Sequence, residues 1–162
     1  MKRIVCAAVV LFTLAGPAWS GFDEGMAAYR RGDYAAALSE FRPLAEQGDA
    51  KAQNSLGFMY DNGLGVARDH TKAARWYRKA AEQGYAKAQF GLGAMYYNGR
   101  GLAQNYATAA RWYRKAAEQG DAKSQHNLGL MYVNGLGVTQ DYTEAARWFR
   151  KAAEQGVAMA QV

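Results

Sequence analysis

Cysteine is nearly absent from this chain of 162 residues. The only one, Cys6, lies early in an N-terminal apolar run, not after it where a lipid-bearing cysteine would stand. Beyond that run the chain can form no disulfide and offers no thiol nucleophile. Histidine is almost as scarce: His70 and His126 fall in different repeats, so no metal site is expected. None of the serines Ser20, Ser39, Ser55 and Ser124 has a lysine three residues on, so the Ser-x-x-Lys signature of penicillin-recognising enzymes is missing. The pairs Gly63/Gly65, Gly99/Gly101 and Gly135/Gly137 follow helical stretches, not strands, and read as loop glycines instead of a dinucleotide site. Asp61 and Asp69 read as loop and cap residues, not as a general acid and base. Neither an enzymatic activity nor a cofactor is expected.

The chain also lacks an apolar run long enough to cross a bilayer. Ile4 to Gly16 covers about a dozen residues, well short of a span. Lys2 and Arg3 precede it, and Ala18-Trp19-Ser20 follows as a small-x-small cleavage site. This pattern predicts a signal peptide over 1–20, cleaved after Ser20, and a bacterial periplasmic protein; an uncleaved anchor is the alternative. The mature length, roughly 140 residues, suffices for one domain with a sizeable core. The formal charge of +6 becomes +4 once Lys2 and Arg3 leave. Nucleic acid is an unexpected partner for an exported chain. The basic residues recur as Arg75, Arg78 and Lys79, then Arg111, Arg114 and Lys115, then Arg147, Arg150 and Lys151. They read either as a solvated helix face or as a ridge meeting acidic surfaces or anionic lipid.

What the chain has in abundance is repetition. RWYRKAAEQG stands at 75–84 and 111–120, and RWFRKAAEQG at 147–156, with Trp76, Trp112 and Trp148 36 residues apart. Such a period signals stacked helical units. Within 49–84, Ala52, Leu56, Met59 and Tyr60 form an apolar stripe at helical spacing, and Asn62-Gly63-Leu64-Gly65 ends that helix. Asp69 caps a second helix running to Gln83, and Gly84 closes it. Gly57, Gly93 and Gly129 are expected to let helices approach closely. Trp76 is expected to fill the remaining volume; a buried Trp contributes up to about 5 kcal/mol. Arg75, Arg78, Lys79 and Glu82 are left for solvent.

The pattern A-x-x-x-L-G-x-M-Y-x-x-G-x-G-V-x-x-D-x-x-x-A-A-x-W-Y-x-K-A-A-E-Q-G resembles the Sel-one-like repeat, a relative of the tetratricopeptide repeat. The resemblance covers 49–156 in three copies, at 49–84, 85–120 and 121–156; the middle copy departs with Leu102 for valine and Asn105 for aspartate. It implies an all-α fold, a right-handed α-solenoid of antiparallel helix pairs, with adaptor or regulatory roles in bacterial envelopes. The cysteine-rich subgroup is excluded. Residues 21–48 read as a degenerate first unit and N-terminal cap: Tyr29 to Leu38 resembles the tight tetratricopeptide turn, and Pro43 is expected to kink its helix. Residues 157–162 begin a further unit and stop, which suggests fraying or weak self-association of an otherwise monomeric protein.

Positions that differ among the copies are free to carry specificity. Sites 54/90/126, 58/94/130 and 61/97/133 share one face of the first helices. By the resemblance that face lines the concave groove, giving Asn54, Phe58 and Asp61; Phe90, Ala94 and Tyr97; His126, Leu130 and Val133. Lys51, Lys87 and Lys123 lie on the same face. Apolar and aromatic residues where solvent should reach suggest a peptide- or protein-binding patch; packing against the neighbouring helix is the other reading. The expected function is a non-catalytic interaction scaffold. A cell-wall-fragment-binding or hydrolysing protein and a secreted host-facing factor are the alternatives.

Overall fold

The computed structural model describes residues 20–156. The expected signal peptide, except Ser20, and the tail over 157–162 lie outside the described residues. Among the described residues there are eight helices and no strand: α1 Ser20–Arg30, α2 Tyr34–Glu46, α3 Ala50–Asn62, α4 His70–Glu82, α5 Ala86–Asn98, α6 Tyr106–Glu118, α7 Ala122–Asn134 and α8 Tyr142–Ala153. Each helix packs on its neighbours in the chain, and α3 also meets α5. This is an all-α solenoid.

Local chemistry sets the ends. The carboxylate of Asp49 accepts from the Ala52 amide at 2.7 Å, and that of Asp69 accepts from the Lys72 amide at 2.9 Å. Asn105 performs the same role on α6 despite departing from aspartate, accepting from the Thr108 amide at 2.8 Å. Only α5 among the three first helices starts without a side-chain cap, because Tyr85 stands where Asp49 and Asp121 stand. The first helices end on left-handed glycines: Gly63, Gly99 and Gly135.

The helices of each pair run antiparallel. Gln83, just past the end of α4, donates to Gln53 near the start of α3 at 2.8 Å, while Asp61 near the end of α3 meets His70 at the start of α4. Gln53 is buried, and its own amide donates to the Ala45 carbonyl of α2 at 3.0 Å. The same chain recurs as Gln119–Gln89–Ala81 and Gln155–Gln125–Ala117. A buried amide left unbonded is costly, so each glutamine fixes the register of three successive helices.

The seam within each pair is a slot. A methyl group on Gly57 would sit 2.8 Å from the Tyr77 ring, on Gly93 2.8 Å from Tyr113, and on Gly129 2.6 Å from Phe149. The close approach expected at these glycines is present, but the residue that exploits it is not the tryptophan. Tyr77 and Tyr113 are buried, while Trp76 and Trp112 are only half-buried, with the ammonium groups of Lys79 and Lys115 each 4.6 Å above their rings. Trp148 alone is buried. The expectation that tryptophan fills the volume at every repeat is therefore corrected: the glycine slot admits the neighbouring ring, and the indole lies at the rim. Arg78 and Arg114, expected in solvent, are also corrected. Each donates across the unit boundary, to the Tyr96 hydroxyl at 3.0 Å and the Tyr132 hydroxyl at 2.7 Å.

Units are also keyed by their loops. Gly65, Gly101 and Gly137 take φ of 68°, 67° and 69° and press on the backbone of Tyr34, His70 and Tyr106, the first residues of the preceding second helices. No Cβ fits there. In the first unit a tight turn at Arg31–Asp33 replaces this loop, with Gly32 at φ 81°. α2 runs through Pro43 to Glu46 without being ended by it. Pro43 is exposed near the helix end, where the missing N–H removes one bond to Ser39.

Candidate functional site

The variable face of α3, α5 and α7 carries a row of adjoining hollows. The largest, about 690 Å³, is lined by Asn54, Phe58, Asp61, Lys87, Phe90, Ala94 and Lys123 of the expected set. Asn54 and Phe58 also border a hollow of about 190 Å³ against Met26, Tyr29 and Phe41 of the first unit. Ala94 leads into one of about 260 Å³ shared with Tyr97 and Leu130. Lys51, His126 and Val133 line none of the three. The His126 ring packs 5.4 Å from that of Phe149, with its Nδ1 buried and unbonded. Val133 lends its carbonyl to Gln140 at 2.7 Å.

The aromatic members are neither free nor entombed. Phe58 is 42% exposed with its edge towards Tyr29 at 6.4 Å, and Leu130 is 42% exposed. Phe90 is half-buried 5.8 Å from Tyr113, and Tyr97 half-buried 5.2 Å from Tyr106. Each ring thus rests on a neighbouring ring, and Phe58, Phe90 and Tyr97 each also line one of the hollows.

Sequence reasoning missed the other half of the main hollow: Asn62, Tyr77, Gly91, Arg100, Asp121 and Ala122. Arg100 is the telling omission. Asp61, whose side chain is only 10% exposed, lies 2.8 Å from His70 Nδ1 and 3.4 Å from an Arg100 amino nitrogen. Three residues read as unrelated thereby join two units. The sequence does carry a signal: Arg100 stands in the loop position held by Leu64 and Leu136 in the other copies. Burial pushes the Tyr77 phenol far above its ordinary value, helped by the Asp61 charge and opposed by Arg100. Burial likewise raises Tyr113 to about 12.

On the opposite side lies a hollow of about 540 Å³ lined by Tyr60, Lys72, Arg75, Trp76, Arg78, Lys79 and Glu82. No group of three or more metal-ligating side chains occurs among the described residues. Within the same residues no helix is long and apolar enough to cross a membrane.

Comparison with known proteins places this geometry. A family model described as Sel1 repeat matches residues 50–85, 86–121 and 122–157. The crystal structure of a Sel1 repeat protein from Oxalobacter formigenes is 43% identical with a TM-score of 0.82, covering 86% of this chain and 57% of that one. A protective antigen present in uropathogenic Escherichia coli strains and displaying an SLR fold is 43% identical with a TM-score of 0.85, covering 91% of this chain and 32% of that one. The chain therefore spans about half and a third of these two relatives. Helicobacter pylori cysteine rich protein B, 23% identical with a TM-score of 0.62 over 78% of this chain and 93% of that one, shares the fold. A search of curated proteins finds no match. Sel1 repeat proteins are generally protein-interaction scaffolds. With three consecutive units matched over most of its length, the chain belongs to the Sel1 repeat family.

Proposed function

We propose that this protein is a non-catalytic scaffold of the bacterial envelope that holds a peptide or a partner's helix in the groove along α3, α5 and α7. The observation that carries the reading is the main hollow itself. At about 690 Å³ it falls within the usual range for binding pockets, and it presents the half-exposed rings of Phe58 and Phe90 together with Lys87 and Lys123. Rings already braced by Tyr29 and Tyr113 lose little freedom on binding, so their contact area is converted efficiently into affinity. The hydrolytic alternative has less support, because Asp61 is bonded to His70 and Arg100 while Asp121 caps α7. Placement in the periplasm rests on the N-terminal signal pattern alone; secretion is its variant.

The test is a crosslinked pull-down from envelope extract with the tagged full-length gene product. A triple variant, Phe58→Ala, Phe90→Ala and Tyr97→Ala, serves as control once circular dichroism shows it folded. A partner captured by the native protein and lost by the variant supports the groove. Equal capture by both moves the interface to the basic face around Trp76. Fractionation of the same cells reports periplasm against medium, and the N-terminal sequence of the recovered protein reports cleavage after Ser20.

A further inference from the structure

The charges of the groove sit at its two ends, and its apolar surface sits between them. Lys87 is in the first turn of α5 and Lys123 in the first turn of α7, while Arg100 follows the last turn of α5. Phe58, Phe90 and Ala94 lie between. The 13 residues of α5 separate the two ends by about 20 Å at 1.5 Å per residue. The two carboxylates of the hollow are already committed. Asp61 is held by His70 and Arg100, and Asp121 accepts from the Ser124 amide at 2.7 Å. Lys87 and Lys123 are exposed.

Arg100 is a preset fork. Asp61 fixes one amino nitrogen of its guanidinium, His70 fixes Asp61, and the Arg100 Nε is buried without a protein partner. A guanidinium has five N–H donors; with the Nε enclosed and one amino nitrogen turned to Asp61, the Arg100 side chain, 42% exposed, offers its remaining amino N–H groups to a carboxylate. With Asp61 beside it the pair adds little net charge, so Arg100 supplies directed donors and the lysines supply the field.

Resting on the groove reading, we infer that the occupant is a peptide segment with acidic residues on both sides of an apolar centre. One carboxylate meets Arg100, the other meets Lys87 and Lys123, and an aromatic or aliphatic side chain between them lies against Phe58 and Phe90. In extended form such a segment spans about six residues at 3.3–3.6 Å each. A basic segment is repelled at the lysine end and finds no free acceptor in Arg100 at the other. An anionic polymer without apolar side chains leaves the centre of the groove unfilled.

The experiment pans a displayed library of random short peptides on the full chain, and in parallel on Arg100→Leu, on Lys87→Gln with Lys123→Gln, and on Phe58→Ala with Phe90→Ala. Leucine already occupies the equivalent loop position at Leu64 and Leu136, so Arg100→Leu retains the loop. The expected result is enrichment of peptides with Asp or Glu on either side of an apolar residue. Arg100→Leu should weaken an enriched peptide about tenfold or more, as loss of a charge-assisted bond does. Replacing the peptide's acid by its amide should remove the difference between native and Arg100→Leu. The lysine variant should lose affinity and salt dependence together. Enriched peptides that depend on Phe58 and Phe90 but carry no acid would overturn this inference and leave the groove reading standing. An absence of peptides that depend on Phe58 and Phe90 would overturn the groove reading and this inference with it.

Discussion

The first and second full repeats build the same junction from different chemistry. At the groove edge the first joins its two helices through Asp61 and His70, 2.8 Å apart, with Arg100 of the next unit on the other carboxylate oxygen. In the second the same positions hold Tyr97 and Tyr106, ring against ring at 5.2 Å and 65°. Gln104 ties that pair by donating to the Tyr97 carbonyl and the Tyr106 hydroxyl. Inside this edge the two repeats are alike: Tyr77 lies on Gly57 as Tyr113 lies on Gly93. Each pair is held by a seam of one geometry, an aromatic ring on a glycine, so the edge is spared for recognition. An aromatic pair, an ion pair or the open Val133–Tyr142 arrangement of the third repeat, where Tyr142 is 66% exposed, can all stand there.

If the seam carries the stability, the largest loss comes from emptying it. Tyr113→Ala should cost about 3–5 kcal/mol, as large-to-small changes of buried aromatics do. Trp112→Ala should cost less than half as much, because the indole is half-buried at the rim. Urea unfolding of both variants checks this, and equal losses would return the indole to the role the sequence suggested. Next comes the keying loop. Gly101→Ala combines left-handed strain with a collision against the His70 backbone and should cost about 2–3 kcal/mol. Gly84→Ala carries the strain alone, at φ 89° with nothing within 4 Å, and should cost about 1 kcal/mol. Equal thermal shifts would deny the loop its keying role.

A smaller effect separates the seams by chemistry. Folding raises Tyr113 from an ordinary 10 to about 12, and raises Tyr77 as well. The unfolded chain therefore releases these protons first. Stability is complete below pH 10 and falls as pH rises towards 12, by about 1.4 kcal/mol per pH unit for each tyrosine. The third seam holds Phe149 and has no such dependence. Absorbance titration should find two of the eleven tyrosines ionising last, and Tyr113→Phe should remove one of them. The smallest effect belongs to the edge. Asp61→Tyr with His70→Tyr and Arg100→Leu, which gives the first repeat the chemistry of the second and leaves no cation unpaired, should change stability by less than about 1 kcal/mol. A larger loss in the melt would make the ion pair part of the scaffold.

The helices, their caps and the loop glycines were readable because they depend on near neighbours. Asp69 meets an amide three residues on, and Gly63 needs only its own φ. The groove face followed from comparing copies: positions chosen because they differ, such as Phe58 and Phe90, lie together on one hollow. What escaped the sequence depends on partners far along the chain. Gln53 carries no local signal of its role, since its donor Gln83 is 30 residues away. Trp76 and Tyr77 are adjacent, and helical spacing alone does not tell which ring turns into the glycine slot. Arg100 pairs with Asp61 of the preceding unit, which no local pattern announces.

By itself the sequence determined the period, the helix pairs and the all-α class, because capping, left-handed glycines and apolar stripes act over three or four residues. Only the tertiary structure decided that the ring after each tryptophan, Tyr77, Tyr113 or Phe149, fills the seam, that Arg78 spans a unit boundary, and that Asp61, His70 and Arg100 form one cluster. Those outcomes depend on the rotation of one packed helix against the next, a quantity set by the volumes of facing side chains and not by any short stretch of the chain.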